Sequence, residues 1–372
     1  MPSDSHLVEP DGDFQCLHEF IEAARAKLPD TIWDYLVGAT ETETTLKRNR
    51  LSLDALAFRP RILRDVSTVT CAATFLGRKS RLPVFLAPVG SLESFHPEGA
   101  AEAARGAAEF GVPITVSSVT KPGLEETARA SGHGRRIFQL YVRGNDAWVD
   151  EHVCRAIDAG YEAFCLTVDT AAYSRRERDI TKRFIKPWRS SATGIEFQAA
   201  LNWDHVKRFK DTHDIPLILK GIATAEDAAR ACELGVAVVY VSNHGGRQLD
   251  HGRGTTAILP EVIEAVRGRA EVWVDGSFSR GTDIVKAIML GASAIGLGRL
   301  YCYGLAAGGA SGVARLLDIL EHEVGVALAL LGVTEYGQLD KSFLHHVEPV
   351  AEAHVHSAFP LTGLHADRPR QT

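Results

Sequence analysis

Residues 217–243 read LILKGIATAEDAARACELGVAVVYVSN. The stretch opens on a short apolar run, Leu217–Lys220, and closes on another, Ala237–Asn243. Between them Thr224-Ala225-Glu226-Asp227 has the form of a capping box that starts a helix ending near Gly235. This is one strand–helix–strand unit, and strands apolar along almost every residue are those covered on both faces. Six more runs of the same kind lie on either side: Val84–Val89, Ile114–Ser117, Ile137–Tyr141, Ala163–Asp169, Glu271–Asp275 and Ala294–Gly298. Ala-rich helical stretches separate them, such as the one that Pro97-Glu98-Gly99 opens and that runs through Phe110. Eight parallel strands alternating with helices predict an α/β fold, a closed (β/α)8 TIM barrel.

The flanks differ from this pattern. Residues 1–80 hold a helical opening (Leu17–Leu28), the segment Trp33–Arg50 and irregular links through Leu63, which predict a helical and irregular cap over a barrel spanning residues 81–345. The pattern fades after Leu339, so residues 346–372 are expected to form a C-terminal tail, with His365–Thr372 frayed. The longest connection, Thr170 to Ile215, carries Arg175-Arg176-Glu177-Arg178, Phe184–Trp188 and the polar Ser190–Gly194. A long structureless loop in that place, after the fourth strand, predicts a lid.

Bulk properties exclude several classes of function. A formal net charge of -6 over 372 residues provides no field for nucleic acid or an anionic membrane surface. The opening MPSDSHLVEPDGDF has neither a basic nor an apolar region of the secretory kind, and no apolar run is long enough to span a bilayer. A soluble cytoplasmic protein is expected. The six cysteines form no metal-type spacing and are expected to be reduced thiols. His345, His346, His354 and His356 cluster near the end, but without a Cys or carboxylate frame, so no metal site is expected.

In such a barrel the working residues sit at the C-terminal ends of the strands. There the chain places Pro88-Val89-Gly90, Ser117-Ser118, Gln139-Leu140-Tyr141, Thr167-Val168-Asp169, Lys220-Gly221, Ser242 through Arg247, Asp275-Gly276-Ser277 and Gly298-Arg299. Polar groups on eight successive edges share one mouth and need partners, which points to a bound polar ligand. The glycine turns after strands seven and eight, together with Arg299, suit a phosphate. Lys220 would enter the mouth to meet an electron-rich ring or a carboxylate, and a Schiff-base lysine is the rival reading. Ser242-Asn243-His244-Gly245-Gly246-Arg247 sets an imidazole and a guanidinium three residues apart across two glycines. That spacing offers a base, held by a carboxylate such as Asp169, beside a bidentate clamp for a small acid.

These residues resemble the FMN-dependent L-2-hydroxy acid oxidase and dehydrogenase family, which includes glycolate oxidase, lactate oxidase and mandelate dehydrogenase. The resemblance covers about residues 17–340 and is most specific in Ser242 through Asp250. Leu166–Thr170, Phe138–Tyr141, His96–Gly99 and Arg280–Asp283 match in the same order. It implies oxidation of an L-2-hydroxy acid to the 2-keto acid, with His244 as base and Asp169 as its partner. Arg247 and Arg176 would bind the substrate carboxylate, and Tyr35 and Tyr141 would add phenolic hydrogen bonds. Backbone at Pro88, Val89 and Gly90, with Ser117, Gln139, Thr167 and Lys220, would hold the isoalloxazine of FMN. Asp275, with Gly276 and Ser277, would serve the ribityl chain, and Gly298 and Arg299 the phosphate. The resemblance leaves open whether His244 takes the Cα proton or the hydroxyl proton while a hydride leaves for the flavin. It also leaves open whether the electron acceptor is O2, a quinone or a redox protein, and it implies a homotetramer.

Several departures bear on these expectations. Val119 stands where several members carry a bulky aromatic, Gly90 replaces a common alanine, and the lid is shorter between Phe184 and Asn202. Together they predict a more open site and a larger or aryl substrate. Ser277 and Ser279 stand where the family usually has a second glycine and a phosphate-binding arginine, which predicts weaker FMN binding. The alternative is a flavin-binding barrel of another activity, or one that has lost turnover.

Overall fold

The computed structural model describes residues 13–189 and 192–364. Most of the acidic opening, part of the Ser190–Gly194 stretch and the end expected to fray lie outside the described residues. The apolar runs form eight parallel strands: β1 (Val84–Leu86), β2 (Ile114–Ser117), β3 (Arg136–Leu140), β4 (Ala163–Thr167), β5 (Leu217–Ile222), β6 (Val238–Val241), β7 (Glu271–Asp275) and β8 (Ala294–Leu297). They pair in chain order, and β8 pairs back to β1 to close the barrel. Several runs overshoot their ladders, because apolar character continues into the loop while hydrogen bonding stops. β5 instead extends past Lys220 over an irregularity at Gly221, whose φ is +118°. A Cβ at Gly221 would lie 2.6 Å from the Cβ of Asp169, so only glycine admits that carboxylate here.

Strand alternation explains why one end of the barrel is polar. Ile137, Ala163, Cys165, Ile218, Val238, Tyr240 and Trp273 fill the barrel interior, whereas Phe164, Leu166, Leu217, Leu219 and Val239 face the helices. Carrying the inward parity one step toward the C-terminal ends gives Gln139, Thr167, Lys220, Ser242 and Asp275. The same face therefore passes from apolar to polar along each strand. At the opposite end the hairpin Ala73–Phe75/Arg78–Ser80 closes the floor, with fully buried Phe75 edge-on to Trp273 at 5.5 Å.

The first 80 residues thus serve both ends. The helices α1 (Leu17–Lys27), α2 (Asp30–Val37) and α3 (Thr44–Asp54) belong to the mouth and flank. The backbone of α3 approaches the loop after β6 so closely that a Cβ at Gly246 would lie 2.5 Å from the Leu46 nitrogen. Arg50 of α3 makes two 2.8 Å hydrogen bonds to Asp283, on the helix Gly281–Met289 after β7, and both side chains are almost wholly buried.

The connection after β4 is not structureless. It contains the helices Glu177–Thr181, Ile195–Ala199 and Trp203–Thr212, the last opened by an Asn202/His205 capping box and buried through Val206 and Phe209. Polar anchors hold it: Arg178 donates to both oxygens of Glu43 at 2.8 Å, and Lys182 pairs with Asp34. Gln198 accepts from the Val142 nitrogen at 2.7 Å and donates to the Thr167 carbonyl at 2.8 Å. These anchors were invisible to periodicity because each partner lies more than thirty residues away or on a different element.

Near the chain's end, Leu344–His346 pairs antiparallel with Leu56–Phe58, straddling the division drawn at residue 345. Beyond it His356 and Phe359 are buried, His356 against Trp33 at 5.4 Å and Phe359 against His18 at 5.7 Å. Among the described residues no helix is long and apolar enough to cross a membrane. No group of three or more His, Cys, Asp or Glu among them is placed to hold a metal ion.

Candidate active site

His244 stands three residues past β6 with a φ of +60°, a left-handed conformation that costs a non-glycine residue roughly 1–2 kcal/mol. Its Nδ1 lies 3.0 Å from both carboxylate oxygens of Asp169, and its Nε2 lies 2.9 Å from the Tyr141 hydroxyl. A carboxylate at Nδ1 accepts the ring N–H there, which leaves Nε2 as the acceptor and Tyr141 as its donor. Burial pulls the imidazole below its usual range although Asp169 opposes this. Burial pushes the Asp169 carboxyl up, but the adjacent His244 prevails and holds it low. The Tyr141 phenol is raised, first by burial and then by Asp169. The arrangement keeps a neutral imidazole with its basic nitrogen toward the cavity near neutral pH.

Two guanidinium groups face the same space. Arg247 donates to the Gly38 carbonyl at 2.6 Å and lies 5.1 Å from the centroid of the Tyr35 ring. The Tyr35 hydroxyl donates to the Gly90 carbonyl at 3.0 Å. Arg176 donates through Nε to the Ser174 hydroxyl at 3.4 Å, and burial, with Arg247 nearby, pulls its guanidinium down to about 9. Two like charges held together without an internal carboxylate clamp are complementary to an anion.

Deeper in the barrel Lys220 donates to the Ser242 hydroxyl at 2.9 Å and lies 3.5 Å from Asp275. Asp275 also accepts from Ser242 at 2.7 Å and Tyr240 at 2.9 Å, so its carboxylate is engaged inside the protein. Burial opposes the charge on Lys220, but Asp275 and Asp169 prevail and raise its pKa. A lysine held charged in this way does not suit the Schiff-base reading, which needs a free amine. Ser117 donates to Gln139 Oε1 at 2.7 Å, leaving the buried Gln139 Nε2 without a partner, as is Thr167 Oγ1.

The expected phosphate end differs from its reading in sequence. Arg299 gives its guanidinium to three backbone carbonyls, Leu36 at 3.1 Å, Gly245 at 3.0 Å and Gly38 at 2.8 Å, so it joins the cap to the barrel. Arg280 is turned away to Glu323 and the Ala358 carbonyl. Ser279 donates to the Ser277 carbonyl at 3.1 Å. What remains is the start of the helical segment Arg299–Leu331, which is broken at Gly308 and Gly309 and has no side-chain cap, and Gly298, around which a Cβ would meet nothing within 4 Å. Backbone N–H groups at a helix start are donors suited to an anion.

These groups surround one cavity with an empty volume of about 1110 Å³, part of it open to solvent. Ligand pockets are commonly about 300–1,000 Å³. Of the residues singled out in sequence, Tyr35, Pro88, Val89, Gly90, Tyr141, Arg176, Lys220, His244, Arg247, Asp275, Gly276, Ser277, Gly298 and Arg299 line it. Asp169 stands behind His244, while Ser117, Gln139 and Thr167 do not form its wall. The charged Lys220 and the open helix start, both in the cavity wall, fit FMN, a ring rich in hydrogen-bonding edges with an anionic tail.

Sequence reasoning missed Lys186 and Trp188 from the lid, Val355 and Phe359 from the chain's end, and Tyr303, all of which line the cavity. Lys186-Pro187-Trp188 carried a weak signal as a charge beside an aromatic in a long loop. The end segment carried none. The room expected from Gly90 and Val119 is taken up: a Cβ at Gly90 would lie 2.9 Å from Val119 Cγ2 and 3.6 Å from Trp188 Nε1.

Fold and cavity together define a barrel oxidoreductase built to hold a flavin beside an imidazole base. Residues 24–346 match the FMN-dependent dehydrogenase family, and the chain belongs to that family, with FMN as its cofactor. It is 37% identical over 356 residues to glycolate oxidase 1 of Oryza sativa subsp. indica, covering 90% of this chain and 96% of that one. It is 36% identical over 355 residues to an L-lactate oxidase of Nostoc sp., covering 88% and 97%. The crystal structure of mandelate oxidase with (S)-2-phenylpropionate superimposes with a TM-score of 0.83 at 39% identity, covering 91% of this chain and all of that one.

Proposed function

We propose that this protein oxidises an L-2-hydroxy acid to the 2-keto acid, with His244 as the catalytic base. The observation that carries this reading is the line Asp169–His244–Tyr141, with 3.0 and 2.9 Å contacts, beside two guanidinium groups that no internal carboxylate clamps. FMN, when bound, supplies the two-electron acceptor. His244 Nε2 receives the proton the acid gives up, and Asp169 steadies the imidazolium that results. Arg176 and Arg247 bind the substrate carboxylate and orient the carbinol carbon toward the base, while the Tyr141 hydroxyl reaches the same nitrogen and the substrate oxygen. Lys220 is the cation that meets charge developing on the ring.

The likeness to mandelate oxidase supports a substrate larger than glycolate. Oxygen is the favoured acceptor, since the relatives named above are oxidases. The test is to mix the holoprotein without air with glycolate, L-lactate, L-2-hydroxybutanoate, L-2-hydroxypentanoate, L-malate, L-2-hydroxyglutarate and (S)-mandelate while following flavin absorbance. Bleaching by an acid larger than glycolate, lost in His244→Ala, is the expected result. Bound flavin that no acid bleaches would instead mark a binding protein without turnover.

A further inference from the structure

Lys186 reaches the cavity from the lid and has no counterpart in the roles above. Its side chain is only 8% exposed, and its ammonium group has a single anionic neighbour, Asp179, at 3.8 Å. Among the described residues no acceptor lies within hydrogen-bond distance of it. It sits 5.1 Å from the centroid of the Tyr35 ring, the ring over which Arg247 also lies at 5.1 Å, so it belongs to the same site as the carboxylate clamp. Arg176 and Arg247 add to burial in pulling its pKa down, to about 5. Three basic groups therefore share one internal carboxylate.

A monocarboxylate substrate would engage the two guanidinium groups and leave Lys186, drawn toward its neutral amine by burial and by those groups, without an anion to restore its charge. An ammonium group left buried without a full partner is costly, and a second anion brought by the ligand removes that cost. The approach is basic as well. A cavity of about 660 Å³ adjoining the site is lined by Arg175, Arg176, Lys186 and Arg189, with Asp179 as its one acid. Arg175 is partly answered by Glu177 at 3.3 Å, and Arg189 lies 4.4 Å from the centroid of the Tyr173 ring. Tyr173, Ile180 and Phe184 also line it, so the acids compared must differ in charge at equal chain length.

We propose that Lys186 determines specificity by binding a second anionic group on the substrate, so that the preferred acid is a 2-hydroxy diacid. The inference rests on the reading of the site as one for 2-hydroxy acids and names the class within it. A charge-assisted hydrogen bond made only by the diacid corresponds to a preference of about tenfold or more.

The experiment compares acids of equal chain length on the holoprotein and on Lys186→Met. L-malate is set against L-2-hydroxybutanoate, L-2-hydroxyglutarate against L-2-hydroxypentanoate, and (S)-mandelate is run beside them. Wild type should favour at least one diacid by about tenfold in kcat/KM, and in Lys186→Met the ratio of diacid to monoacid kcat/KM should fall to about one. Equal rates, a preference for the monoacids or mandelate, or a diacid preference that survives in Lys186→Met would overturn the proposal. A second arm needs no turnover: 2-oxoglutarate and 2-oxopentanoate are titrated against the flavin absorbance of wild type. Tighter binding of 2-oxoglutarate by about tenfold supports the assignment and equal binding sinks it, even if Lys186→Met fails to fold. If no acid reduces the flavin, the parent reading fails, and the binding arm still decides the role of Lys186.

Discussion

The two ends of the cavity treat their cations in opposite ways. At the cofactor-tail end Arg280 is engaged by Glu323 and Arg50 by Asp283 and Asp54, while Arg299 donates to three carbonyls and burial, with Arg247 nearby, pulls it down to about 10. At the substrate end Arg176, Arg247 and Lys186 have one carboxylate near them, Asp179, at 3.8 Å from Lys186. Buried charge satisfied from within is part of the scaffold, whereas buried charge left over is held for a ligand. By this criterion the substrate would be recognised through side-chain charge, and the cofactor's tail through backbone donors, a helix start and Arg299. Substitutions at the two ends should then fail differently, the first in catalysis and the second in stability.

The largest effect is expected at Asp169. Asp169→Asn removes the acceptor that fixes the His244 tautomer and the charge that steadies its protonated form, and kcat should fall by about 10²–10⁴. The pH profile separates this from a general loss of structure. His244 must be neutral to act, so kcat/KM is present above its pKa and is lost as pH falls through it. Burial already places that limb below the usual imidazole range, and Asp169 is what holds it up. Without Asp169 the limb should move to still lower pH; a limb that stays in place would show that another group controls it.

The second effect tests the scaffold end. Asp283→Asn leaves the buried Arg50 without its bidentate partner and weakens the acceptor that Ser279 and Arg280 nitrogens share at 2.9 and 3.0 Å. Breaking a buried pair on one side costs about 3–5 kcal/mol, to be read by denaturant unfolding of the apoprotein. Burial pushes the Asp283 carboxyl up, but Arg50 outweighs it and holds the pKa low. The contribution of a depressed carboxylate is present above its unfolded value and lost as pH falls through the folded one, so wild type and variant should converge in acid. Substrate preference in the folded fraction should not change. A loss of turnover with intact stability would blur the distinction between the two ends.

The same contrast explains what was legible in the sequence. The barrel was readable because each strand is a local apolar run and each helix carries its own punctuation, as in Leu217–Asn243. His244, Arg247 and Asp169 were readable because strand parity and the βα junction place them without knowledge of distant contacts. Sequence cannot show that the carbonyls of Leu36 and Gly38 come within 3.1 and 2.8 Å of Arg299, so its bonds to the cap were not legible although its place in the cavity wall was. The lid's order is not legible in sequence because its anchors, Glu43, Asp34 and the backbone of Val142 and Thr167, become partners only through tertiary packing. Lys186 lay in a quoted segment but had no periodic or motif context to mark it.

The smallest effect concerns the departure at residue 277. Ser277 has a φ of +62°, a conformation that glycine adopts freely and that costs an L-residue roughly 1–2 kcal/mol. Its carbonyl is used, accepting from Arg50 and Ser279, and Ser277→Gly keeps both bonds. Glycine's greater freedom in the unfolded chain takes back part of the gain, so the apoprotein should become more stable by about 0.5–1 kcal/mol. Thermal unfolding should rise by a few degrees at most. A serine retained against strain has a use only if its hydroxyl meets something, and the cavity is what it lines. Titrating FMN into both apoproteins therefore gives the sharper answer. Weaker FMN binding in a more stable Ser277→Gly variant would place the hydroxyl in the cofactor's cradle, partly making up for the arginine absent at residue 279. Unchanged or tighter binding would leave the backbone as the main support at that end, in line with the contrast between the two ends.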